Sequence, residues 1–522
     1  MISAARPTGI AQETTFNSRN GDSSTQAIKL IHNTTTNDEH VRRELIAHGF
    51  LINGEGIVTW SGGHPRHPRN WNVKRKIYDT GTMIMFELFG TTISNTGSLT
   101  ALDAYKRFNI SKDLALFAFA STYLIGQAIG AILFPQYTES YGRKPTYLAS
   151  AVVFTLANVV VGASDNLAGI IIGRFVSGLM SAIPGSVLSG SIEDLWGIQA
   201  RIWVVDIWVL ASVLGIGIAP SFAIGIGASR LGWQWVYHFA AIGAAVITIA
   251  IFFIKESRPS RVLKAAIQSL VTLPPSSSIK VEDDDSMPSF SAFVHTGLFK
   301  PLHIFCTEPF LVIVTLMSAT AYSCAYLLPE ALPSVYAGFG YAPTQSGLVY
   351  LYMCVGGVLA ILVRVWDIRI SHRRLQQGKE LTPEDKLLGF YIAAPLLTAA
   401  FWWFAWTIPP YAASFSPVVS SLAIIPMGFA INEFDYVLTG YIVDTYTSVA
   451  GSACAPLGFL RAILSAVFPI VGEKMFERMD NNVAASILAI NATAYLGIAV
   501  AFYFFANSFR KASPWVRREA EK

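Results

Sequence analysis

The chain is poor in charged residues, and this scarcity limits its class before any motif is considered. Only 14% of its 522 residues are charged, whereas 52% are hydrophobic. Soluble domains average roughly 25% charged residues. The four cysteines form no CxxC pair and lie in or beside apolar stretches, which is typical of buried free thiols. The net charge is only +4, and no basic stripe is interleaved with aromatics, so the composition argues against a nucleic-acid partner.

Several motifs of soluble proteins are also missing. No G-x-x-x-x-G-K-[ST] segment is present that could bind a nucleotide phosphate. No nucleophile–base or metal-ligand pattern occurs at the ends of the apolar segments, so we predict neither an enzyme nor a metal site or cofactor. The polar N-terminus lacks the apolar core of a cleavable signal peptide, so the first hydrophobic helix is expected to direct membrane insertion. If the protein pumps a solute uphill, the missing nucleotide motif makes an ion gradient the expected source of energy.

Twelve apolar segments are long enough to cross a bilayer, since roughly 20 residues at about 1.5 Å each span the hydrocarbon core. They are predicted at 78–101, 114–134, 146–164, 167–190, 203–226 and 235–254, and at 309–328, 346–365, 387–407, 418–439, 452–472 and 484–506. The stretch between the two sets contains Pro274-Pro275, a serine run and acidic Glu282–Asp285, which is typical of a flexible linker. The sequence therefore predicts an all-α polytopic membrane protein with two six-helix halves.

The same pattern predicts the organisation of the chain and its orientation. The predicted parts are a disordered cytoplasmic N-terminal segment (1–77), an N-terminal six-helix bundle (78–254), a cytoplasmic central loop (255–305), a C-terminal bundle (306–506) and a cytoplasmic tail (507–522). Most Lys and Arg residues fall on one side of this arrangement, so the positive-inside rule predicts that both termini are cytoplasmic. Asn109-Ile110-Ser111 lies in the first outer loop, which makes Asn109 a candidate glycosylation site.

Several segments resemble the twelve-span fungal drug:proton antiporters of the major facilitator superfamily. They are His67–Trp71 (similar to N-P-x-N-W), Glu139–Pro145 (similar to G-x-x-x-[DE]-x-x-G-R-[RK]), Gly232–Val236 (similar to G-W-R-W), Pro329–Pro333, Pro383-Glu384 and Tyr441–Tyr446. The resemblance runs from about residue 60 to the end and implies the major facilitator fold. The chain departs from the pattern at Pro135, which replaces the leading glycine of the loop 2–3 signature, and in helix 5, where only Gly215 and Pro220 of the antiporter motif remain.

Ionisable residues inside the predicted spans are the first candidates for a functional site. A charge at the bilayer centre costs roughly 2.5–3.5 kcal/mol on insertion scales, so such residues tend to face a cavity or a partner. The carboxylates in this position are Glu87, Asp206, Glu330, Glu433 and Asp435. A carboxylate in a low-dielectric cavity binds a proton more readily, which suits proton coupling or substrate binding. The alternative is a carboxylate paired permanently with an arginine or a backbone donor.

The resemblance implies roles for further charged residues. Arg174 lies where the family carries an arginine tied to proton transfer, although a structural counter-ion is the alternative. Glu139, Gly142, Arg143 and Lys144 would form the latch of loop 2–3, which in the family holds the outward-facing state; plain topogenic charge is the alternative. Asp444 and Arg461 are predicted to form an equivalent charge pair in the second half.

Helices 1 and 7 line the cavity in the fold that the resemblance implies, so their aromatic residues are candidates for the cavity wall. These residues are Phe86, Phe89, Tyr322 and Tyr326. Substrate specificity in such a cavity depends on shape and a few polar contacts, which no motif records.

The combined prediction is proton-coupled efflux of small, largely apolar organic compounds, such as drugs, toxins or a secondary metabolite, by alternating access. The expected partners are a small-molecule substrate, protons and the lipid bilayer, with the protein acting as a monomer in the plasma membrane or a vacuolar membrane. Proton-driven uptake of a nutrient is one alternative, favoured by the reduced helix 5 motif. A receptor derived from a transporter is a second alternative, because the N-terminal segment of roughly 70 residues is long enough to bind a partner.

Overall fold

The protein is described here from a computed structural model, which covers residues 40–53, 56–270, 280–281, 295–378, 382–412, 414–446, 449–515 and 517. The chain divides into two compact units. One unit lies within residues 1–67 and 262–284, and the other comprises residues 68–261 and 285–522. The larger unit is a bundle of long helices.

Six long helices form the N-terminal half of the bundle. They are α1 (Val73–Phe108), α2 (Lys112–Leu116 and Thr122–Tyr141, joined by a wide π-type turn at Phe117–Ser121), α3 (Arg143–Ala163), α4 (Leu167–Leu195), α5 (Ile198–Gly227) and α6 (Gln234–Phe252). Helix Pro259–Leu270 follows α6.

Six more long helices form the C-terminal half, after the short helix Lys300–Thr307. They are α7 (Pro309–Ala337), α8 (Pro343–Val349 and Leu351–Gln376), α9 (Leu388–Trp406), α10 (Pro417–Leu422 and Ile424–Thr445), α11 (Ala450–Arg478) and α12 (Asn481–Ala512).

Local sequence signals explain where several of these helices begin. The side chains of Asn72 and Asn166 accept hydrogen bonds from the first-turn amides of α1 and α4. Pro309, Pro343 and Pro417 stand in the first turns of α7, α8 and α10. Proline is tolerated there because the first amides of a helix have no partner within the helix. Polar caps and prolines therefore mark the helix starts between apolar segments.

Eleven helices in the described residues are long and apolar enough to cross a membrane. Helix α1 is the exception, because its buried side carries a run of hydroxyl and amide residues that includes Thr91, Ser94 and Asn95. These side chains bond largely to helix carbonyls or to α5; for example, Asn95 donates to the Ile216 carbonyl over 3.2 Å. The all-α architecture of two six-helix halves is confirmed, and the count of twelve spans is consistent with it.

Helices pair in the same order in both halves. The main pairs are α1 with α5, α2 with α4 and α3 with α6 in the first half, and α7 with α11, α8 with α10 and α9 with α12 in the second. The halves meet chiefly where α2 packs on α11 and α5 packs on α8. This equivalence is that of an internal repeat, each helix of one half corresponding to the helix six places later.

A reciprocal glycine contact holds α2 against α4. A Cβ atom at Gly126 would lie 2.2 Å from the Phe175 carbonyl oxygen, and one at Gly178 would lie 1.8 Å from the Tyr123 carbonyl oxygen. Gly126 follows Tyr123 by three residues, and Gly178 follows Phe175 by three, so each helix supplies one glycine and one carbonyl to the contact. Only glycine permits this backbone approach, and small residues are the usual device for it in membrane helices.

The same reciprocal contact recurs between α8 and α10. A Cβ atom at Gly356 would lie 1.9 Å from the Ile425 carbonyl oxygen, and one at Gly428 would lie 2.2 Å from the Met353 carbonyl oxygen. The three-residue offset is also repeated. The two halves thus share helix order, helix pairing and the residue type at their closest backbone approach.

The smaller unit is folded at residues 40–53 and 56–60, which corrects the prediction of disorder for this part of segment 1–77. Residues 40–47 are helical, β1 (Phe50–Ile52) pairs antiparallel with β2 (Ile57–Trp60), and β3 (Lys280–Val281) pairs parallel with β2. Their core, completed by residues of helix Pro259–Leu270, consists of Val41, Leu45, Phe50, Val58, Leu263, Ala266 and Ile267. Burial of these apolar side chains stabilises a segment that looks polar when averaged over its length. Pro274-Pro275 and Glu282–Asp285 of the predicted linker lie outside the described residues.

Candidate functional site

Glu87 is buried on the polar face of α1. Thr91 and Ser94 follow Glu87 by four and seven residues, so the helical period places all three on one side of α1. The Glu87 side chain accepts a hydrogen bond from the Ser212 hydroxyl of α5 over 2.9 Å and lies 3.5 Å from the Thr91 hydroxyl. The residue is only 7% exposed and has no salt bridge within the described part of the chain. Its partners are therefore hydroxyl groups, which can accept or donate as its protonation changes.

Residues of the second half complete a cluster around Glu87. Arg461 of α11 donates to Asp435 of α10 over 2.9 Å, and its guanidinium lies 4.6 Å from the Tyr322 ring centroid. Both charged groups act electrostatically on Glu87. The Tyr326 hydroxyl of α7 lies 3.4 Å from the Ser94 hydroxyl of α1. We call Glu87, Ser94, Ser212, Tyr322, Tyr326, Asp435 and Arg461 the central cluster; it joins α1 and α5 to α7, α10 and α11.

The structure places two of the four predicted cavity aromatics elsewhere. Phe86 makes an edge-on ring contact with Phe154 of α3 at a centroid distance of 5.7 Å. Phe89 packs on α6, where a Cβ atom at Gly243 would lie 2.6 Å from the tip of its ring. Residues one before and two after Glu87 are rotated about 100° and 200° from it on a helix, so they face other helices of the same half. The prediction was wrong for Phe86 and Phe89.

Arg174 of α4 is fully buried and bonds to backbone carbonyls instead of to a carboxylate. It donates to the carbonyls of Phe119, Ile93 and Ser94 over 2.5, 3.1 and 3.2 Å. Its guanidinium also lies 4.4 Å from the Tyr123 ring centroid. Phe119 belongs to the wide turn of α2, so Arg174 ties this turn to α1 and α4. No carboxylate pairs with Arg174 among the described residues, and both the proton-transfer role and the structural alternative stay predictions.

Asp206 and Glu433 meet around a buried arginine that the sequence reasoning missed. Arg364 of α8 is 1% exposed and bonds to Glu433 of α10 and Asp367 of its own helix. Its Nε lies 3.5 Å from an oxygen of Asp206 on α5. The guanidinium also lies 4.1 Å from the Tyr436 ring centroid. We call Asp206, Arg364, Asp367 and Glu433 the interface cluster, because α5 belongs to the first half and α8 and α10 to the second.

The loop 2–3 signature is bonded within the first half. Arg143 forms a 3.1 Å salt bridge with Asp194 at the end of α4. The amides of Arg143 and Lys144 donate to the carboxylate of Glu256, over 2.9 and 3.1 Å. An anion at a helix N-terminus is stabilised by the free amides and the helix dipole. Gly142 has a φ of 96°, and a Cβ atom there would lie 2.6 Å from Glu256 Oε2, so glycine is required.

Asp194 and Glu256 were not singled out from the sequence, because the signature gives only one side of these contacts. The side chain of Glu139 lies outside the described part of the structure. The conformational latch therefore remains a prediction for Glu139, Arg143 and Lys144.

The predicted pair of Asp444 and Arg461 is not formed. Asp444 bonds to Lys386 over 2.5 Å, whereas Arg461 bonds to Asp435. Asp444 lies nine residues after Asp435, about 13 Å further along α10. Because Arg461 lies at the level of Asp435, Asp444 and Arg461 are at different depths in the bundle.

Two further candidates lie near the outer ends predicted for α1 and α7. Glu330 of α7 is buried beside Ser98 of α1. Asn109 is exposed and caps α1 in the left-handed conformation, with a φ of 51°. Neither residue belongs to the central or the interface cluster.

The family model of the Major Facilitator Superfamily matches residues 82–469. The chain is 26% identical to a cercosporin MFS transporter of Cercospora nicotianae over 88% of this chain and 90% of that one. It is 27% identical to a multidrug transporter of Candida glabrata over 88% and 79%. It is 28% identical to the multidrug transporter mdrA of Aspergillus fumigatus over 87% and 75% of the two chains.

Solved structures with the same fold include the xylose transporter XylE from E. coli in a partially occluded inward-open conformation. The two share 14% of residues with a TM-score of 0.56 over 83% of this chain and 99% of that one. The matches confirm the resemblance to fungal drug-efflux major facilitators. The chain belongs to the major facilitator superfamily.

Proposed function

We propose that the protein exports small, largely apolar organic compounds in exchange for protons, by alternating access. The observation that carries this proposal is the central cluster: a carboxylate with hydroxyl partners, Glu87, lies between the halves and near the Arg461–Asp435 pair. The relatives named as cercosporin and multidrug transporters support small organic compounds as the substrate class, and a relative named as an MFS-type efflux pump supports export as the direction. Small molecules bind at the interface of the repeats in transporters of this kind.

Glu87 is the proposed coupling group. In its neutral form it needs no counter-ion and can remain buried with Ser212, whereas its charged form is costly to hold away from water. A proton that enters from outside would neutralise Glu87, and opening to the cytoplasm would let water reach it and take the proton. Tyr322 and Tyr326, on the facing helix, supply ring surface and hydroxyl groups to a bound organic molecule.

The energy of one proton is sufficient for this task. Entry down about 100 mV and one pH unit supplies roughly 2.3 plus 1.4 kcal/mol. That free energy sustains a gradient of about 500-fold for a neutral solute. We further propose that the protein acts as a monomer in the plasma membrane, with a vacuolar membrane as the alternative location.

Accumulation in a yeast strain that lacks its own efflux pumps tests the proposal. The strain would express wild type, Glu87→Gln or Glu193→Gln, and retention of fluorescent and toxic compounds would be measured with and without a protonophore. Glu193 is the control, because its side chain is 58% exposed and bonds to Arg201. We expect wild type and Glu193→Gln to lower retention, and both the protonophore and Glu87→Gln to abolish the effect.

Two results would contradict the proposal. Export that persists after collapse of the proton gradient would exclude proton coupling. Higher retention in cells with wild type at their surface would indicate uptake, the alternative that the reduced helix 5 motif favours.

A further inference from the structure

We propose that the interface cluster is a second proton-binding site, at which Asp206 holds a proton while α5 and α8 are packed together. This inference rests on the proposed function, because it assigns a further group to proton coupling. It differs from the assignment of Glu87, since the two carboxylates belong to separate clusters and interact with different residues of the second half.

The charges of the interface cluster do not balance if every carboxylate is ionised. One guanidinium faces three carboxylates. Arg364 bonds directly to Glu433, and both side chains are at most 1% exposed, so these two form a neutral buried pair. Asp367 also bonds to Arg364, but its side chain is 13% exposed and Lys386 acts on it. Of the two surplus negative charges, the one on Asp206 is therefore the less compensated.

Asp206 is the member of the cluster with the weakest compensation. Its side chain is completely buried, yet neither of its carboxylate oxygens accepts a hydrogen bond. The 3.5 Å approach to Arg364 is an ion-pair contact without hydrogen-bond geometry, and Arg364 Nε is also left without an acceptor. A buried charge without good hydrogen bonds is unfavourable. A neutral carboxylic acid at this position lowers the surplus from two charges to one with a single bound proton, and the remaining charge lies on the more exposed Asp367.

Acceptors for that proton belong to the same cluster. Glu433 and Asp367 each keep one buried oxygen that has no hydrogen bond. A protonated Asp206 is a donor, whereas an ionised one is only an acceptor. Protonation therefore adds an O–H donor to a cluster in which four buried carboxylate oxygens have no hydrogen bond.

The charged surroundings of Asp206 come from helices α8 and α10. Arg364 and Asp367 act on it directly, and Glu433 and Tyr436 interact with it electrostatically. On α1 the carboxylate of Glu87 bonds to Ser212, six residues or about 9 Å further along α5.

The position of the cluster links the proton to the movement of the halves. Asp206 lies eight residues after Ile198, where α5 begins on the predicted cytoplasmic side, while its partners lie across the boundary on α8 and α10. Opening towards the cytoplasm must separate α5 from α8 and admit water to this level. The O–H bond of Asp206 then breaks, the proton passes to cytoplasmic water, and the carboxylate becomes hydrated.

Infrared difference spectroscopy of the purified protein tests the site without a transported compound. Spectra of wild type, Asp206→Asn, Glu87→Gln and Asp165→Asn in lipid would be recorded across a pH titration. The signal is the carbonyl stretch of a buried, protonated carboxyl group. We expect Asp206→Asn to lose one band while the Glu87 band remains, and Glu87→Gln to do the reverse. Asp165 is the control, because its side chain is 82% exposed and bonds to Arg107; its variant should keep both bands.

Asp206→Glu protects the test against a loss of folding in the asparagine variant, since it should shift the band instead of removing it. Spectra in which neither Asp206 variant changes any band would overturn the proposal. Proteoliposomes that contain a compound exported in the yeast assay supply the second readout: the number of protons moved per exported molecule should fall by one in Asp206→Asn. An unchanged ratio would overturn the coupling role. Wild type that exports without moving protons would instead overturn the proposed function, and the infrared result would still be readable.

Discussion

The two halves of the bundle share a backbone design but treat the arginines inside their predicted spans in opposite ways. Both use the same helix pairs, and both hold the second and fourth helices together through reciprocal glycines. In the first half, Arg174 donates to three backbone carbonyls. In the second half, Arg364 and Arg461 bond to carboxylates. The repeat therefore conserves the geometry of packing and leaves the polar interior free to differ.

This difference assigns separate tasks to the halves. An arginine held by carbonyls keeps its bonds at any pH, because carbonyls do not titrate, so Arg174 is suited to fixing α1, α2 and α4. An arginine held by carboxylates can lose a partner to a proton. The second half therefore supplies charges that respond to protonation, and the first half supplies Glu87 and Asp206 to face them.

The largest effect on stability is expected from Arg364→Met. The substitution removes the only cation among three carboxylates of the interface cluster, and breaking a buried ion pair typically costs about 3–5 kcal/mol. Thermal unfolding of the purified protein would show a large drop in the midpoint. Adding Glu433→Gln should recover part of it, because one surplus charge is then removed.

An Arg364→Met protein with the unfolding midpoint of wild type would contradict the charge count on which the argument for the interface cluster rests. Failure of Glu433→Gln to restore any stability would show that lost packing against Tyr436, not surplus charge, dominates the effect. The double-mutant cycle separates these causes, since it isolates the coupling between the two residues.

A smaller loss is expected from Arg174→Met. Three buried carbonyls lose a donor, and hydrogen bonds inside membrane proteins average about 0.6 kcal/mol, which gives about 2 kcal/mol in total. No carboxylate substitution should rescue this variant, because no carboxylate pairs with Arg174 in the described structure. Rescue by Glu87→Gln, measured by the same unfolding assay, would remove the contrast between the halves.

Equal effects in the two halves are expected from Gly178→Ala and Gly428→Ala. The added methyl groups would lie 1.8 and 2.2 Å from a facing carbonyl oxygen, so the helices must move apart. Overpacking of this kind costs about 1–3 kcal/mol. Gly458→Ala is the control, because nothing lies within 4 Å of the position that its Cβ would take. A lower unfolding midpoint for only one of these two variants would show that the glycine contact is not a shared feature of the halves.

The sequence was sufficient to predict the two six-helix halves but not the pairing of their charges. Span positions follow from apolar length alone, and Glu87 and Asp435 stood out as carboxylates within spans. Arg364 was overlooked although it lies inside the predicted span 346–365, because a basic residue at a span end resembles a topogenic charge. Its partners come from α5 and α10, more than sixty residues away on either side, and no local pattern records such contacts.

Two other errors have local causes. Phe86 and Phe89 were assigned to the cavity by their helix, whereas their rotation about α1 from Glu87 directs them to α3 and α6. The folded segment around β1 and β2 was missed because its strands are three and four residues long. A hydropathy average over longer windows hides strands of that length.

The smallest effect is expected at the ion pairs between α2 and α11, which lie at the predicted outer face. Asp113 bonds to Lys474 over 2.8 Å and Lys112 to Glu473 over 3.1 Å, but most of these side chains are about half exposed. Exposed pairs typically contribute between 0 and about 1 kcal/mol, and salt screens them. A double-mutant cycle of Asp113→Asn and Lys474→Met should therefore give a coupling below about 1 kcal/mol that shrinks further at high salt. A coupling as large as that of Arg364 with Glu433, and insensitive to salt, would mean that the outer ion pairs hold the halves together as firmly as the interface cluster does. The interface cluster would then not be the main contact that the opening movement must break, which would weaken the proposed link between Asp206 and that movement.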